Sequence, residues 1–189
     1  MQAEYYAGKW NDHDIVFAIG KNQNLFFDGK VIAESKPLST GLSGEDPIES
    51  GLFVRVLYDG RNCFCIVGKP LETSYDKTTK TFSAEYGGHK IQVNTQKMHY
   101  TLLVDGAETD KKDVVIGGVG AILGTSADEN GKRIMAVFEA GGLKGKCQCY
   151  AEAKNVRMIP CQKQGGELIP ISSSGGDGFA AGFLLGMSI

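Results

Sequence analysis

The stretch Leu25-Phe26-Phe27-Asp28-Gly29-Lys30-Val31-Ile32-Ala33 places an Asp-Gly pair between two strand-like runs. Asp-Gly in that position is the strongest short-range signal for a tight β-hairpin. Asp tolerates the left-handed backbone that a type I′ turn requires, and Gly adopts it freely. The pattern recurs at Tyr58-Asp59-Gly60 and at Val104-Asp105-Gly106. Three such hairpins predict a meander of short antiparallel strands.

The rest of the chain continues this pattern, with about twelve strand-like runs separated by regular turn signals. No window holds an apolar period of 3.6 residues over three turns, which argues against amphipathic helices. We therefore predict an all-β fold: an antiparallel β-sandwich or closed barrel built of short hairpins, with a Gly-rich apolar C-terminal tail. Residues 35–50, rich in Pro, Gly and Ser, are predicted to form a long surface loop. The core candidates are Trp10, Phe17, Phe27, Phe53, Phe82 and Phe138.

The length of 189 residues fits one domain, and 42% apolar with 22% charged residues is ordinary for a folded protein. We expect residues 1–171 to form a single antiparallel β domain and residues 172–189 to be a Ser/Gly linker and apolar tail. Residues 13–29 resemble residues 89–106 with one residue inserted. Two hairpins of equal design explain this pseudo-repeat, and internal duplication is the alternative.

Charge and targeting signals narrow the function classes. The formal net charge is −2 and no basic block occurs, which argues against nucleic-acid binding. The first residues contain neither the basic region nor the apolar region of a secretory signal. The longest uncharged apolar stretch, 179–189, is much shorter than the roughly 20 residues that span a bilayer. We expect a soluble, intracellular protein.

Two Cys-x-Cys pairs are the sharpest chemical feature: Cys63 with Cys65, and Cys147 with Cys149; Cys161 is left over. Alternate residues of a strand share one face, about 7 Å apart along the backbone. Zinc thiolates usually come from a C-x₂₋₄-C turn instead. We favour reduced thiols that fill the core. The alternatives are disulfide or redox pairing and a four-thiolate zinc site, the one cofactor that the sequence suggests.

The remaining sequence motifs give weaker evidence for a binding or catalytic site. Residues 114–124 are Gly-rich like a dinucleotide-binding turn, but their glycine spacing is wrong and no helix follows. A Gly-rich buried strand or bulge is the better interpretation. The polar cluster at residues 11–14 contains His13 and is interpreted as a solvated turn rather than a cation site. No nucleophile elbow or carboxylate pair identifies catalytic residues, so an enzyme is not the favoured prediction.

Gly8-Lys9-Trp10 resembles the Gly-x-Trp that opens the first strand of lipocalin and avidin-like barrels. That resemblance implies a small-ligand carrier in which the Trp closes one end of the barrel. The stretch from Gly88 to Gly106 is similar to the hairpins of the Fas apoptosis inhibitory molecule family, without the tryptophan-rich sequence around them. These short matches assign neither family.

The tail is the second feature with functional meaning, through the apolar side chains Phe179, Phe183, Leu184 and Leu185. Three interpretations stay open: folding back onto the domain, self-assembly or docking to a protein partner, and lipid contact. Lipid contact is the least favoured, because the tail has no basic face. Together these features predict a non-enzymatic β-rich binding or scaffold module. A barrel-type small-ligand carrier and a metal or redox protein that uses the Cys-x-Cys pairs are the alternatives.

Overall fold

The computed structural model describes residues 3–36, 41–95, 99–113, 120–139 and 145–171. Strands make up 69% of these residues and none of them is helical, which confirms the all-β prediction. Across the same ranges, no helix of the length and hydropathy needed to cross a membrane is present.

The strands are more numerous than the sequence predicted. They are β1 (Glu4–Trp10), β2 (His13–Ile19), β3 (Gln23–Phe27), β4 (Lys30–Ser35), β5 (Gly41–Glu45), β6 (Phe53–Tyr58), β7 (Cys63–Pro70), β8 (Ser74–Asp76), β9 (Thr81–Tyr86), β10 (His89–Asn94), β11 (His99–Val104), β12 (Ala107–Asp113), β13 (Ala121–Gly124), β14 (Arg133–Glu139), β15 (Lys146–Val156), β16 (Ile159–Gln164) and β17 (Glu167–Pro170).

These strands form three antiparallel sheets. Their strand orders are β17-β16-β1-β2-β3-β4, β12-β11-β10-β9-β8 and β13-β14-β15-β7-β6-β5. Each sheet is open, because its two edge strands do not pair with each other among the described residues. Of the two predicted architectures, a sandwich of short hairpins fits and a closed barrel does not.

The chain divides into two compact units. The described parts of residues 1–50, 54–66 and 155–189 form the first unit, and those of residues 51–53 and 67–154 form the second. In the first unit, Ile15, Phe17, Leu25 and Phe27 are among the largest fully buried side chains. In the second unit, the buried cluster comprises Phe82, Ala84, Ile91, Val93, Tyr100, Leu102, Leu123, Ala136, Phe138 and Cys149.

Four of the six core candidates are buried, namely Phe17, Phe27, Phe82 and Phe138. Trp10 and Phe53 are only half-buried. Trp10 is the last residue of β1, so Gly8-Lys9-Trp10 ends the first strand. In lipocalin and avidin-like barrels, which this motif resembles, the motif lies at the start of the first strand instead.

The first unit contains the hairpin that decided the fold prediction. Asp28 and Gly29 join β3 to β4 with φ angles of 47° and 74°, the left-handed pair that a type I′ turn needs. Leu25 pairs with Ala33 and Phe26 pairs with Val31, so the register shifts by one residue between them. This shift is a β-bulge.

The second unit contains a hairpin of the same design. Asp105 and Gly106 join β11 to β12 with φ angles of 52° and 82°. Leu102 pairs with Asp110 and Leu103 pairs with Glu108, which places a bulge at the same point of the hairpin. By register, Glu108 therefore corresponds to Val31 of the first unit. The shared turn and bulge fit two hairpins of equal design, and internal duplication stays the alternative.

The remaining Asp-Gly pair joins β6 to β7 by a wider turn. Only Gly60 has a left-handed φ, of 92°. The Asp59 carboxylate accepts the N–H groups of Arg61 and Asn62 at 2.9 and 2.7 Å, and the Asp59 N–H donates to the Asn62 carbonyl at 3.2 Å. The hairpin forms as predicted, but an Asx turn of four residues replaces the two-residue type I′ turn.

The predicted loop over residues 35–50 contains strand β5, so that prediction was wrong in part. A Cβ on Gly41 would lie 2.2 Å from the Val56 carbonyl oxygen, and one on Gly44 would lie 2.7 Å from the Ile32 carbonyl oxygen. These glycines allow close backbone approach rather than chain flexibility. Composition alone does not distinguish the two uses of glycine.

Candidate functional site

All five cysteines are free thiols. Cys65, Cys149 and Cys161 are buried, whereas Cys63 and Cys147 are half-buried. Cys161 belongs to a small apolar cluster in the first unit, with Ala7, Val16 and Leu168. Burial raises the pKa of the Cys161 thiol to about 11. Three of the five thiols therefore occupy the positions expected of small core side chains.

Cys147 and Cys149 form a pair of thiols on one side of β15. They pair across the sheet with Phe138 and Ala136 of β14, so both side chains point to the same face. The neighbouring Cys147 and the Thr73 hydroxyl lower the pKa of Cys149, although burial raises it. The neighbouring Cys149 and burial raise the pKa of Cys147 well above its usual range.

The chain that follows β7 holds this pair in place. The Leu71 N–H donates to the Cys149 carbonyl at 2.8 Å, and the Cys149 N–H donates to Oγ1 of Thr73 at 3.3 Å. Between the two cysteines, the Gln148 side-chain amide donates to the Leu71 carbonyl at 2.6 Å. The backbone on both sides of Cys149 is thus fixed by segment 71–73.

Cys63 and Cys65 have the same spacing but a different chemistry. Burial raises the pKa of Cys63 to about 12, and the nearby Asp59 carboxylate contributes. Burial and proximity to Cys63 raise the pKa of Cys65. Both thiols of this pair thus have a raised pKa, whereas in the pair of β15 only Cys147 does.

A metal site is not assembled by these side chains. In the described ranges, no group of three or more His, Cys, Asp or Glu side chains is placed to hold a metal ion. The four-thiolate zinc hypothesis for Cys63, Cys65, Cys147 and Cys149 therefore gains no support from the geometry. The histidines are engaged in another way, since each contacts an aspartate: His13 with Asp28, His89 with Asp105, and His99 with Asp113.

The polar cluster at residues 11–14 forms the turn between β1 and β2. Asn11 and Asp12 have left-handed φ angles of 45° and 66°. His13 is bonded to Asp28, and Asp14 forms an ion pair with Lys9 at 2.9 Å. His13 and Asp14 thus have partners within the protein, and Asn11 and Asp12 are exposed, as expected of a solvated turn.

A charged cluster around Glu152 was missed by the sequence analysis. Its Oε1 atom accepts from Nζ of Lys69 at 2.8 Å and from the Tyr86 hydroxyl at 2.7 Å, and its Oε2 atom accepts from Nζ of Lys132 at 3.1 Å. These three donors lower the pKa of Glu152 to about 2. The four residues lie far apart in the sequence, so no local pattern signals the cluster.

The backbone of Glu152 is also unusual. Its φ of 50° lies in the left-handed region, and the pairing of β14 with β15 shifts register beside it, between Arg133 and Met135. Such strain persists only where surrounding contacts enforce it. A carboxylate with so low a pKa is a poor general base at neutral pH, so the cluster ties strands together rather than moving protons.

Exposed apolar side chains are unevenly distributed between the two units. Val31, Ile48, Phe64, Ile169 and Ile171 are the exposed large hydrophobic residues of the described chain, and all belong to the first unit. Val31 is 54% exposed at the position where the second unit has Glu108, and Phe64 is 48% exposed where the second Cys-x-Cys pair has Gln148.

Two sequence predictions fall outside the described residues. They concern residues 114–119 of the Gly-rich stretch and the tail residues Phe179, Phe183, Leu184 and Leu185. The described end of the Gly-rich stretch forms strand β13, in which Leu123 is fully buried. Comparison of this chain with protein-family models, with curated proteins and with solved structures finds no match, so the residues themselves carry the functional argument.

Proposed function

We propose that this chain is a non-enzymatic β-rich binding or scaffold module that contacts another protein through its first unit. The observation that carries the proposal is the confinement of all exposed large apolar side chains of the described chain to that unit. Burying the exposed part of each such side chain in a complex contributes roughly 1 kcal/mol. Several together favour a specific protein contact.

The second unit provides the comparison. Its hairpin has the same turn and bulge as the hairpin of the first unit, yet it presents Glu108 where the first presents Val31. Its edge strand β12 also exposes Lys111 and Lys112. Charged edge strands resist contact with other chains, so the two units differ in the property that matters for association.

The contact is made by side chains rather than by strand addition at β17. The Ile171 N–H donates to the Pro160 carbonyl at 2.9 Å, and Gln162 pairs with Ile169. Because hydrogen-bonded pairs alternate along an antiparallel ladder, Pro170 directs its backbone away from β16. Proline has no N–H to offer a further strand, which protects this edge.

The C-terminal tail has a role in this proposal as well. It follows Ile171 directly and carries Phe179, Phe183, Leu184 and Leu185, which we assign to docking onto a protein partner or a second copy. Self-packing of the tail is the competing role. The five free thiols suit a soluble protein of a reducing intracellular compartment. Neither a nucleic acid nor a membrane is among the proposed partners.

The test uses the difference between the units. The double variant Val31→Glu, Phe64→Gln gives the first unit the side chains of the second, and Glu108→Gln, Lys111→Gln is the matched control on β12. If the partner is a second copy, we expect the first variant to lose self-association in analytical ultracentrifugation. If the partner is another protein, the variant should fail to capture it in quantitative affinity enrichment, whereas the wild type and the control should both capture it. The variant's melting temperature should stay close to that of the wild type. Unchanged association and unchanged enrichment in this variant would overturn the proposal.

A further inference from the structure

We propose that the apolar tail, residues 179–189, docks on one face of the sheet β17-β16-β1-β2-β3-β4 in a second copy of this chain. The inference rests on the proposed function, in which the tail binds outside its own chain, and it names both the partner and the receiving surface. The observation that carries it is a row of apolar side chains that crosses five neighbouring strands of this sheet.

Cross-strand pairing places this apolar row on one face of the sheet. Ala7 of β1 pairs with Ile159 on one side and with Val16 on the other. Val16 pairs with Phe26, which pairs in turn with Val31 of the edge strand β4. Residues directly opposite each other on antiparallel strands have their side chains on the same face. The apolar row therefore runs unbroken across β16, β1, β2, β3 and β4.

The apolar row lies on the face of this sheet that points away from β6. On the opposite face, the rings of Tyr6 and Phe17 lie 5.6 and 6.3 Å from the ring of Tyr58 in β6. Because consecutive side chains of a strand alternate between the two faces, Ala7 and Val16 point the other way. Among the described residues, the buried cluster around them contains only side chains of this sheet.

The apolar row combines a closed floor with an accessible surface. Ala7 and Val16 are 0% and 3% exposed, so they form the floor. Phe26 and Ile159 are half-buried, and Val31 is 54% exposed. An apolar segment that lies along the row covers these three side chains and leaves the floor undisturbed.

The equivalent row of the second unit is polar. Pairing from β8 to β12 aligns Ser74, Ser83, Gln92, Leu103 and Glu108. Leu103 takes the position of Phe26, and the other four members are polar. The shared hairpin design therefore does not require an apolar row. Its presence in the first unit indicates a surface for an apolar partner.

The tail has the chemistry and the location of that partner. Residues 178–189 contain no charged side chain and include two phenylalanines and two leucines. The tail follows β17, an edge strand of the same sheet. The Ile171 N–H donates to the carbonyl of Pro160, the residue next to Ile159. The tail thus leaves the sheet beside the Ile159 end of the apolar row.

Two copies of the chain are able to exchange their tails. The seven residues 172–178 span at most about 23 Å when fully extended, whereas packed sheets lie about 10 Å apart. The linker is therefore long enough to reach a neighbouring copy. A two-fold arrangement forms the contact between tail and apolar row twice. Since each copy supplies both halves of the contact, a second copy is a sufficient partner.

The experiment measures assembly by sedimentation of the full-length chain over a range of concentrations. We expect the wild type to form dimers. Phe26→Lys, which places a charge in the middle of the apolar row, should stay monomeric, as should the chain that lacks residues 175–189. Leu103→Lys is the matched control, because it places the same charge at the equivalent position of the second unit. It should form dimers like the wild type.

Mixing the two monomeric chains tests the exchange directly. Phe26→Lys has the tail without an intact apolar row, and the truncated chain has the row without the tail. An equimolar mixture should form heterodimers joined by one contact, although neither chain forms dimers alone. A fluorescent peptide of residues 175–189 measures the same contact without a substitution, and it should bind the truncated chain saturably in anisotropy titrations. Absence of peptide binding overturns the proposal, as does a mixture of two folded chains that stays monomeric.

Failure of this inference is distinguishable from failure of the proposed function. A wild-type chain that is monomeric at every concentration overturns the inference, and so does a dimer that persists after the tail is deleted. In either case the proposed function still holds if Val31→Glu, Phe64→Gln abolishes association or the capture of another protein. A monomeric wild type whose melting temperature falls on deletion of the tail would show that the tail covers its own sheet.

Discussion

The Nδ1 atom of His13 lies 2.8 Å from Oδ2 of Asp28. The second carboxylate oxygen of Asp28 accepts the Asp14 N–H at 2.8 Å, and the Asp28 N–H donates to the Asp14 carbonyl at 2.9 Å. In the second unit, Asp105 makes the same three bonds to His89 and Lys90, at 2.7, 2.9 and 2.9 Å. In both units the aspartate of the type I′ turn thus fastens that turn to the start of the neighbouring strand.

The hydrogen bonds to the Asp28 carboxylate predict that the fold loses stability in acid. Burial raises the pKa of Asp28, but the bonds from Asp14 and His13 outweigh it and hold the pKa below its usual range. A carboxyl group whose pKa is lower in the folded state stabilises the fold above about pH 4, and this contribution is lost as the pH falls. Asp28→Asn keeps a side chain that tolerates the left-handed backbone and removes the charge. Its melting temperature should fall less than that of the wild type between about pH 6 and pH 3.

The control for this pH profile is Asp12→Asn, which removes the same charge from the β1–β2 turn. It should follow the wild-type profile. If Asp28→Asn follows it as well, the His13–Asp28 contact does not contribute to acid sensitivity.

We expect a substitution in the Glu152 cluster to change stability more than Asp28→Asn does. Glu152→Gln removes the charge that faces Lys69 and Lys132, and we expect the free energy of unfolding at pH 7 to fall by about 1–2 kcal/mol. Since the pKa of Glu152 is lowered to about 2, its contribution is present above the unfolded pKa of about 4.3 and is lost towards pH 2. Urea denaturation at pH 7 and pH 3 measures both effects, with Glu108→Gln on exposed β12 as the control. Equal losses in the two variants would contradict this role.

A side chain added at Gly41 should clash with the backbone of Val56. Gly41 lies in strand β5, which the sequence analysis assigned to a loop. A Cβ at this position would lie 2.2 Å from the Val56 carbonyl oxygen, and backbone cannot move away cheaply. Gly41→Ala should therefore lower the free energy of unfolding by about 2 kcal/mol or more. Gly20→Ala is the matched control, because its Cβ would meet Ala3 at an ordinary 3.5 Å. Thermal or urea unfolding would contradict the prediction if both variants matched the wild type.

We expect deletion of the tail to affect association and not stability. Deleting residues 175–189 should leave the melting temperature unchanged and abolish oligomers or partner binding in size-exclusion chromatography, because we assign the apolar tail to docking. A lower melting temperature with aggregation would show instead that the tail covers its own domain. Lost binding to liposomes, with stability and assembly unchanged, would reverse the assignment in favour of lipid.

The sequence analysis correctly predicted the features that depend on residues close together in the chain. The turns at Asp28-Gly29 and Asp105-Gly106 follow from backbone preferences of two residues, and the shared face of Cys147 and Cys149 follows from strand periodicity. Strand β5 and the Glu152 cluster depend on residues brought together only by folding. The hydrogen bonds that join the Cys149 backbone to Leu71 and Thr73 also link residues distant in the sequence, which no spacing rule reveals.

The Glu152 carboxylate has one more consequence, for the order in which the chain folds. Its partners lie 83, 66 and 20 residues away in the sequence. The two more distant contacts carry a larger loop-closure cost than the local hairpins, so we expect them to form after those hairpins. An interaction that is absent from the folding transition state changes the unfolding rate and leaves the folding rate nearly constant. We therefore expect Glu152→Gln to raise the unfolding rate and to leave the folding rate nearly constant.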